Sequence, residues 1–431
     1  MTGSFTDVLD QAYAQSYGKF VPAEIGPFPV LPRWEGERFE LPRDLLAPLT
    51  AVAWPRSGAP VPVQACSVRQ PAQAGGPAAG RPRLATWPTV LVGTWGLQRR
   101  EPGHRYNDHR SYPSPRCLYP TAAVVRNAGG WFGYDPAAHV LVRLTGQGAP
   151  DLTGPATLMC ACRPGQLPAG YGSLRLPLAM LEAGHAAATA ATLARALGES
   201  ARIGTRPARG PLDGDFTPAF QLRLSGARPT PQASPLSPVS QSVADVLFQR
   251  HSGRSPRGLG LTATMAPIPA KVVFRAAASP RSCTGIQVRL LVATERVSGL
   301  ADGLYEACRN DLNPLRRGRM LGLAQAAVSY PAIQSVTMAS FNAVWFLVVD
   351  YPAIVSQHGQ AGFRRAQIEL GARAQDIGLS LAADGYFARP IRSFHEPVLD
   401  DLLGLPPAQQ VGYVLLTGRS RCTDLLLDLR V

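Results

Sequence analysis

The stretch "RHSGR" brings Arg250, His251, Ser252 and Arg254 to the mouth of a loop, after a short helical pattern and before a run crowded with glycine and proline. Guanidinium forks, a hydroxyl and the backbone N–H groups of such a loop are the donors that hold a phosphate dianion. The same residues would also suit a solvated basic loop, and the motif alone does not separate the two readings. Cys160 and Cys162 form a C-x-C pair inside the apolar run "ATLMCAC", where a strand would point both sulfurs to one face. With no second pair and no suitably spaced histidines, packing rather than metal binding is expected of them. The 7 cysteines are odd in number and scattered, which fits reduced thiols.

Positioning such groups needs a folded scaffold, and a chain of 431 residues with 45% apolar residues can fill sizeable cores in two or three domains. No apolar run approaches the length that crosses a bilayer, and the N-terminal "MTGSFTDVLDQAYAQSYGKF" has neither a basic nor an apolar signal region. A cytoplasmic protein without a membrane partner is expected. The net charge of +14 raises nucleic acid as a partner. However, all basic residues except Lys19 and Lys271 are arginine, spread along an Ala-, Gly- and Pro-rich chain in the manner of a genome-composition bias. No lysine-rich tail or nucleic-acid motif accompanies them, so acidic peptides or phosphate-bearing cofactors are the expected partners and nucleic acid is not.

Two stretches read as flexible punctuation, "VRQPAQAGGPAAGRPR" (68–83) and "ARPTPQASPLSPVS" (227–240), because closely spaced prolines remove donors and block helix. The halves on either side of the second resemble each other. "LMCACRPGQLPAGYGSLRLPLAMLEAGH" aligns without gaps to "WFLVVDYPAIVSQHGQAGFRRAQIELGA", matching Gly172 to Gly359, Glu182 to Glu369 and Gly184 to Gly371 at one constant offset. Each copy predicts a buried strand, a polar loop and a long helix rich in small residues. Upstream, each half has a Ser-Pro-Arg loop followed by a strand, a turn and another strand. Further upstream, "LQRREPGHR" parallels "FQRHSGRS". Each half closes with a last strand, "AFQLRLSG" or "GYVLLTGR". The expected unit is α+β, with helices packed on a mixed or antiparallel sheet. Two copies suggest an internal pseudo-dimer, in which Glu182 and Glu369 are structural, capping or pairing with arginine across the halves.

The order of "RHSGR", "SPR", "GLYEA", a Glu-bearing helix and "IRSFHEPVLDDLLGLP…YVLLTGRSR" resembles the nitroreductase superfamily. Within it, "RSYPSPRCLYP", "GWFGYDPAAHVLVRL" and "YGSLRLPLAMLEAGH" resemble the SagB-type azoline dehydrogenases, which oxidise thiazolines and oxazolines in ribosomal peptide natural products. The resemblance covers about residues 85–431. It implies two tandem nitroreductase-like domains forming an intrachain pseudo-dimer. The expected organisation is an N-terminal extension (1–84), a degenerate domain (85–226), a linker (227–240) and an FMN-phosphate-binding domain (241–431). Arg250, His251, Ser252 and Arg254 would then take the phosphate and ribityl end of FMN, with Arg419 and Arg421 of "GRSR" on its other side.

The family's Pro-Ser loop, which lies against the flavin ring from the partner subunit, is kept as Pro113-Ser114-Pro115 but becomes Ala278-Ser279-Pro280 in the second half. Conversely, Arg99-Arg100-Glu101 stands where the second half has Arg250-His251-Ser252, and a carboxylate there would repel phosphate. These complementary losses imply one FMN per chain. Pro113, Ser114, Pro115 and Cys117 would contact the ring, with Arg392 and Ser393 near flavin N5.

The family's catalytic Lys-Tyr pair is replaced by Gly170-Tyr171 in one half and Gln357-His358 in the other, so the lysine is absent from both. Tyr171 and His358 remain as candidate bases. The implied partners are an azoline-bearing precursor peptide with an acidic leader, as in thiopeptide assembly, and a cyclodehydratase. A small-molecule NAD(P)H-dependent reductase and a non-catalytic scaffold of a peptide-modifying complex are the alternatives.

Overall fold

The computed structural model describes residues 34–54, 84–102, 108–205, 210–212, 216–225, 241–253, 264–279, 282–308, 311–328, 336–420 and 426–430. Both proline-rich stretches lie outside the described residues, as do Arg254 and Arg421.

The first half contains β1 (Arg38–Glu40), α1 (Ala47–Thr50), α2 (Thr86–Trp95), β2 (Arg99–Arg100) and β3 (Asp108–His109). It continues through β4 (Thr121–Asn127), β5 (Gly130–Asp135), β6 (Val140–Thr145), β7 (Ala156–Cys162), α3 (Arg175–Ala196), β8 (Ile203–Gly204) and β9 (Thr217–Leu224). The second half opens with α4 (Val243–Gln249), β10 (Ile268–Pro269), α5 (Ala270–Ala278), β11 (Arg289–Thr294) and β12 (Val297–Ser298). It continues through β13 (Gly303–Cys308), β14 (Asp311–Arg317), α6 (Leu321–Val328), β15 (Ala343–Asp350), α7 (Tyr351–His358), α8 (Gln360–Ala383), β16 (Phe387–Ile391), α9 (Glu396–Leu403), β17 (Gln409–Gly418) and β18 (Leu427–Asp428).

The two main sheets run β1-β6-β5-β4-β7-β9-β8 and β14-β13-β11-β15-β17-β16. All their pairings are antiparallel. Apart from β1, the second order repeats the first strand for strand, which gives the expected sequence repeat a physical meaning. Each main sheet has one strand more than expected between the Ser-Pro-Arg loop and the long helix, β6 or β14. The extension is not separate from this architecture: β1 pairs along β6, and Leu41, Leu45, Leu46, Leu49 and Val52 enter the first core.

In β15 consecutive side chains serve different cores. Trp345, Leu347 and Val349 face the layer of α5 and α8, while Val344, Phe346 and Val348 face that of α6 and α9. A strand covered on both faces must be apolar at every position, as "AVWFLVV" is. Cys160 and Cys162 point to one face of β7, into the first core, and the Cys162 thiol donates to Ala179 O at 3.2 Å.

The long helices α3 and α8 make the main contact between the halves, and the cores interpenetrate there, with Ile368, Leu379 and Ala382 of α8 joining the first. Helix α4 crosses over too: its Val243, Ala244, Val246 and Leu247 are buried in the first core. This corrects one sequence parallel. Helix α2 packs on α3 within the first core and α5 on α8 within the second, whereas α4, which also touches α8, is buried in the first core. Arg99 follows a helix buried in the core of its own half and Arg250 one buried in the core of the other, so the two triplets do not occupy matching places.

Candidate functional site

Helix α4 starts at Ser242, whose hydroxyl accepts the Asp245 N–H at 3.1 Å, and ends at Arg250. Crossing into the first half carries Arg250 into a buried position beside Arg99, Tyr119, Cys117 and Glu101. Its Nε has no hydrogen-bond partner among the described residues. Burial, reinforced by the Arg99 guanidinium, pulls the Arg250 pKa down to about 10. Arg99 is fully buried and committed elsewhere: Nε pairs with Glu101 at 2.8 Å, and Nη1 donates to Phe248 O in the last turn of α4 at 2.7 Å.

Beyond Arg250 the chain is held against β16. The His251 ring lies 5.8 Å from that of Phe387, its Nδ1 accepts the Gly253 N–H, and Ser252 O accepts from Arg389 Nη1 at 3.0 Å. Arg389 was not anticipated from the sequence. Burial alone pulls its pKa down to about 10. Neither Arg250 nor Arg389 has an ion-pair partner among the described residues. Phe387 pairs with Gly418, so the exposed Arg419 leaves β17 beside this end of β16.

The first half supplies the loop that meets Arg250. Pro113 and Ser114 lead into a turn over Pro115–Cys117, in which Arg116, Cys117 and Tyr119 take φ of 50°, 54° and 48°. Left-handed backbone at three non-glycine residues is strained and must be held by its surroundings. Ser114 Oγ accepts the Tyr119 N–H at 2.8 Å, the Tyr119 hydroxyl oxygen accepts the Arg110 N–H at 2.8 Å, and the Arg110 guanidinium covers the Tyr119 ring at 4.4 Å.

Beneath the loop, Glu182 on α3 accepts from Thr121 N and Oγ1 at 3.3 and 2.6 Å. Burial pushes its carboxyl up to about 7 against the pull of Ser114, Thr121 and Arg110. Glu369 repeats this on α8, accepting from Cys283 N, Thr284 N and Thr284 Oγ1. The arginine paired with Glu369 is Arg373 of the same helix, at 2.8 Å, rather than one across the halves.

A buried cross-half network also escaped the sequence reading. His185 on α3 donates from Nδ1 to Gln375 Oε1 at 3.0 Å and accepts from the Tyr413 hydroxyl at Nε2, at 3.1 Å. Gln375 donates in turn to Ser111 O and Thr189 Oγ1, each at 3.0 Å. Burial pulls the His185 pKa down to about 3, so the ring is neutral.

The remaining candidates fall in three places. Tyr171 is buried with Leu167 and Leu174 in a small cluster that packs on Leu118, next to Cys117. His358 ends α7 in the other half, where its Nδ1 meets Arg365 Nη1 at 3.0 Å and Arg365 reaches Thr284 O of the second-half loop. Arg392 is ion-paired with Glu396 at 2.8 Å and covers the Phe394 ring, and Ser393 is half-buried beside it. Tyr171 and His358 therefore accompany different loops, and the structure brings Tyr171 to the one that faces Arg250.

FMN fits the residues present. Two desolvated guanidinium groups with no ion pair of their own among the described residues favour a phosphate dianion, and a strained proline-bearing loop from the other half stands beside Arg250. Among the described residues no group of His, Cys, Asp and Glu could hold a metal ion, and no helix is long and apolar enough to cross a membrane.

Compared with solved structures, the chain is similar to a protein of Anabaena variabilis assigned as a nitroreductase, with a TM-score of 0.63 at 14% identity over 78% of this chain and 88% of that one. Shorter matches include the E. coli McbBCD microcin synthetase complex, with TM-score 0.32 and 11% identity over 36% of this chain and 66% of that one. A Ralstonia eutropha protein assigned as a nitroreductase matches with TM-score 0.32 and 17% identity over 45% of this chain and 89% of its own. No protein-family model and no curated protein matches the sequence. The first match spans more than either half alone. Together with the repeated strand order, it establishes a tandem nitroreductase-like fold.

Proposed function

We propose that this chain is an FMN-dependent dehydrogenase that oxidises thiazoline or oxazoline rings of a ribosomally made peptide to thiazoles or oxazoles. The observation that carries the reading is the buried Arg250 of the second half, with no ion pair among the described residues, beside Cys117 in the Pro-Ser loop of the first. Arg250, Ser252, Arg389 and Arg419 would hold the phosphate, His251 the ribityl end, and Pro113 to Cys117 the ring. One composite site gives one FMN per chain.

When bound, FMN supplies the acceptor for the two electrons that leave the azoline as hydride. The protein's own part is to hold, orient and exclude water. Glu182 and the Ser114–Tyr119 bond fix the loop, and Tyr171 backs it through Leu118. Exposed Arg316, Arg317 and Arg319, in and just beyond the edge strand β14, suit an acidic leader peptide or a cyclodehydratase partner.

The test is the visible spectrum of the purified protein, followed by anaerobic addition of an azoline-bearing peptide. A yellow protein with one flavin per chain, bleached by the peptide as azole forms, is expected. A colourless protein overturns the reading in favour of a scaffold. A yellow protein bleached by NADPH but inert toward the peptide overturns it in favour of a small-molecule reductase.

A further inference from the structure

The ribbon β18-β2-β3 places His109 opposite Arg99, so that Glu101, two residues on from Arg99, lies on the same face as the imidazole. His109 Nε2 stands 3.7 Å from Glu101 Oε2, and its Nδ1 stands 3.6 Å from Cys117 Sγ. The three groups form a line from a buried carboxylate, through an imidazole, to a half-buried thiol. That thiol belongs to a residue at φ 54° in the strained turn, within electrostatic reach of the buried Arg250. Among the described residues, Tyr119, Arg99 and Arg250 also act on Cys117. The trio is not arranged to bind metal.

We propose that Cys117 is the catalytic proton acceptor of this site and relays the proton to His109, which Glu101 positions. The inference rests on the dehydrogenase reading above and supplies the base that the missing lysine leaves open. In the tautomer that carries its proton on Nε2, the side toward Glu101, a neutral imidazole accepts the thiol proton at Nδ1, 3.6 Å from Cys117 Sγ. In the reaction the ring C–H bond breaks and its proton goes to Cys117 Sγ. The S–H proton passes to His109 Nδ1, giving an imidazolium opposite the Glu101 carboxylate. The electron pair of the broken bond forms the new ring double bond, while hydride leaves the neighbouring carbon to the flavin. Atoms and charge balance without a further reactant. Burial pushes the Cys117 thiol up to about 11, against the pull of Tyr119, Arg250 and Arg99, so the resting group is a thiol and the relay is a hand-over rather than a standing thiolate.

The experiment is alkylation of Cys117 by iodoacetamide in the full chain, followed by peptide mass analysis from about pH 5 to about pH 9, across the imidazole range. The expected wild-type rate rises as the imidazole becomes neutral. His109→Gln loses that rise and is about tenfold slower at pH 8. Glu101→Gln moves the rise to lower pH, because the carboxylate favours the imidazolium; a merely structural role would not move the midpoint. Identical profiles in wild type and His109→Gln overturn the relay. In turnover, Cys117→Ala is expected to lower kcat per bound flavin about a hundredfold, with a far smaller change in KM. If the wild type oxidises azolines and Cys117→Ala keeps its kcat, the relay falls and the dehydrogenase reading stands. If the wild type carries no flavin, that reading falls instead, whatever the alkylation profile.

Discussion

Gly184 of α3 and Gly371 of α8 face each other where the two long helices cross: a Cβ on Gly184 would lie 2.9 Å from Gly371 Cα, and one on Gly371 would lie 3.1 Å from Gly184 Cα. The contacts are reciprocal as well. Gly184 abuts Ile368 O and Gly371 abuts Leu181 O, and these pairs are related by the offset that aligns the two halves in sequence. Residues that touch their own equivalents mark a two-fold axis. The internal repeat is thus a pseudo-dimer built on a glycine-to-glycine crossing.

Gly371→Ala is expected to cost about 3 kcal/mol or more of stability, because the colliding atoms are backbone and cannot swing away. Gly378→Ala is the control. It lies in the same helix, and its added methyl would meet only Ala388 Cβ at 3.6 Å, an ordinary contact. That change should be neutral or stabilising by up to about 1 kcal/mol through helix propensity. Urea denaturation of the two variants measures the difference.

Arg250→Gln and Arg389→Gln should each weaken FMN binding by about ten- to a hundredfold, the worth of one or two charge-assisted hydrogen bonds. Flavin fluorescence titration measures this, and both variants should fold, since neither leaves a carboxylate unpaired. Arg99→Gln is expected to differ in kind. It strips Glu101 of its buried ion-pair partner and Phe248 O of a donor, so the loss should be seen first in stability.

The legible parts of this fold are those in which one local pattern has one outcome. A strand covered on both faces must read as an unbroken apolar run, and β7 and β15 do. Helices that cross at a glycine must be small-residue rich, and α3 and α8 are. Edge strands are different: β14, "DLNPLRR", is exposed at all but one position and contains a proline, so it carries no alternating signal. The packing partner of a helix is not written locally either. Two helices that lead to Gln-Arg look alike in sequence, yet α2 is buried in the core of its own half and α4, though it touches α8, in the core of the other. That misreading turned Glu101 into a sign of decay, although it is the residue that holds Arg99 and faces His109. Arg389, in "FARPI", belongs to no motif, and its role is set by the Ser252 carbonyl more than a hundred positions away.

The buried pair Glu182 and His185 should write opposite slopes into stability against pH. His185 is pulled from an ordinary 6.5 down to about 3, so the unfolded chain binds the proton first and stability from this group is lost as pH falls below about 6.5. Glu182 is raised from 4.5 to about 7, so the folded chain keeps its proton longer and stability from this group is lost as pH rises through that interval. Between about pH 4.5 and 6.5 the two slopes oppose each other. His185→Gln should leave a profile that falls more steeply with rising pH than the wild type, and Glu182→Gln one that falls more steeply with falling pH. Thermal melts across that range measure both, with differences on the order of a few kcal/mol.

Tyr171 and His358 stand at aligned positions but should behave differently, because their loops do. His358 touches Arg365, which reaches Thr284 of the second-half loop, and that loop reads Ala278-Ser279 where the first has Pro113-Ser114. Tyr171 packs behind Leu118 in the loop that meets Arg250. His358→Gln should therefore leave flavin content and azoline oxidation unchanged. Tyr171→Ala should open a cavity worth about 3 kcal/mol, release the turn that carries Cys117 and lower kcat. Tyr171→Phe separates packing from chemistry. If the tyrosine serves only as a wall, the phenyl ring keeps both stability and rate, whereas a drop in kcat at full stability would make its hydroxyl a participant alongside Cys117. Flavin content, melting temperature and single-turnover rates, measured together on the three variants, decide among these outcomes.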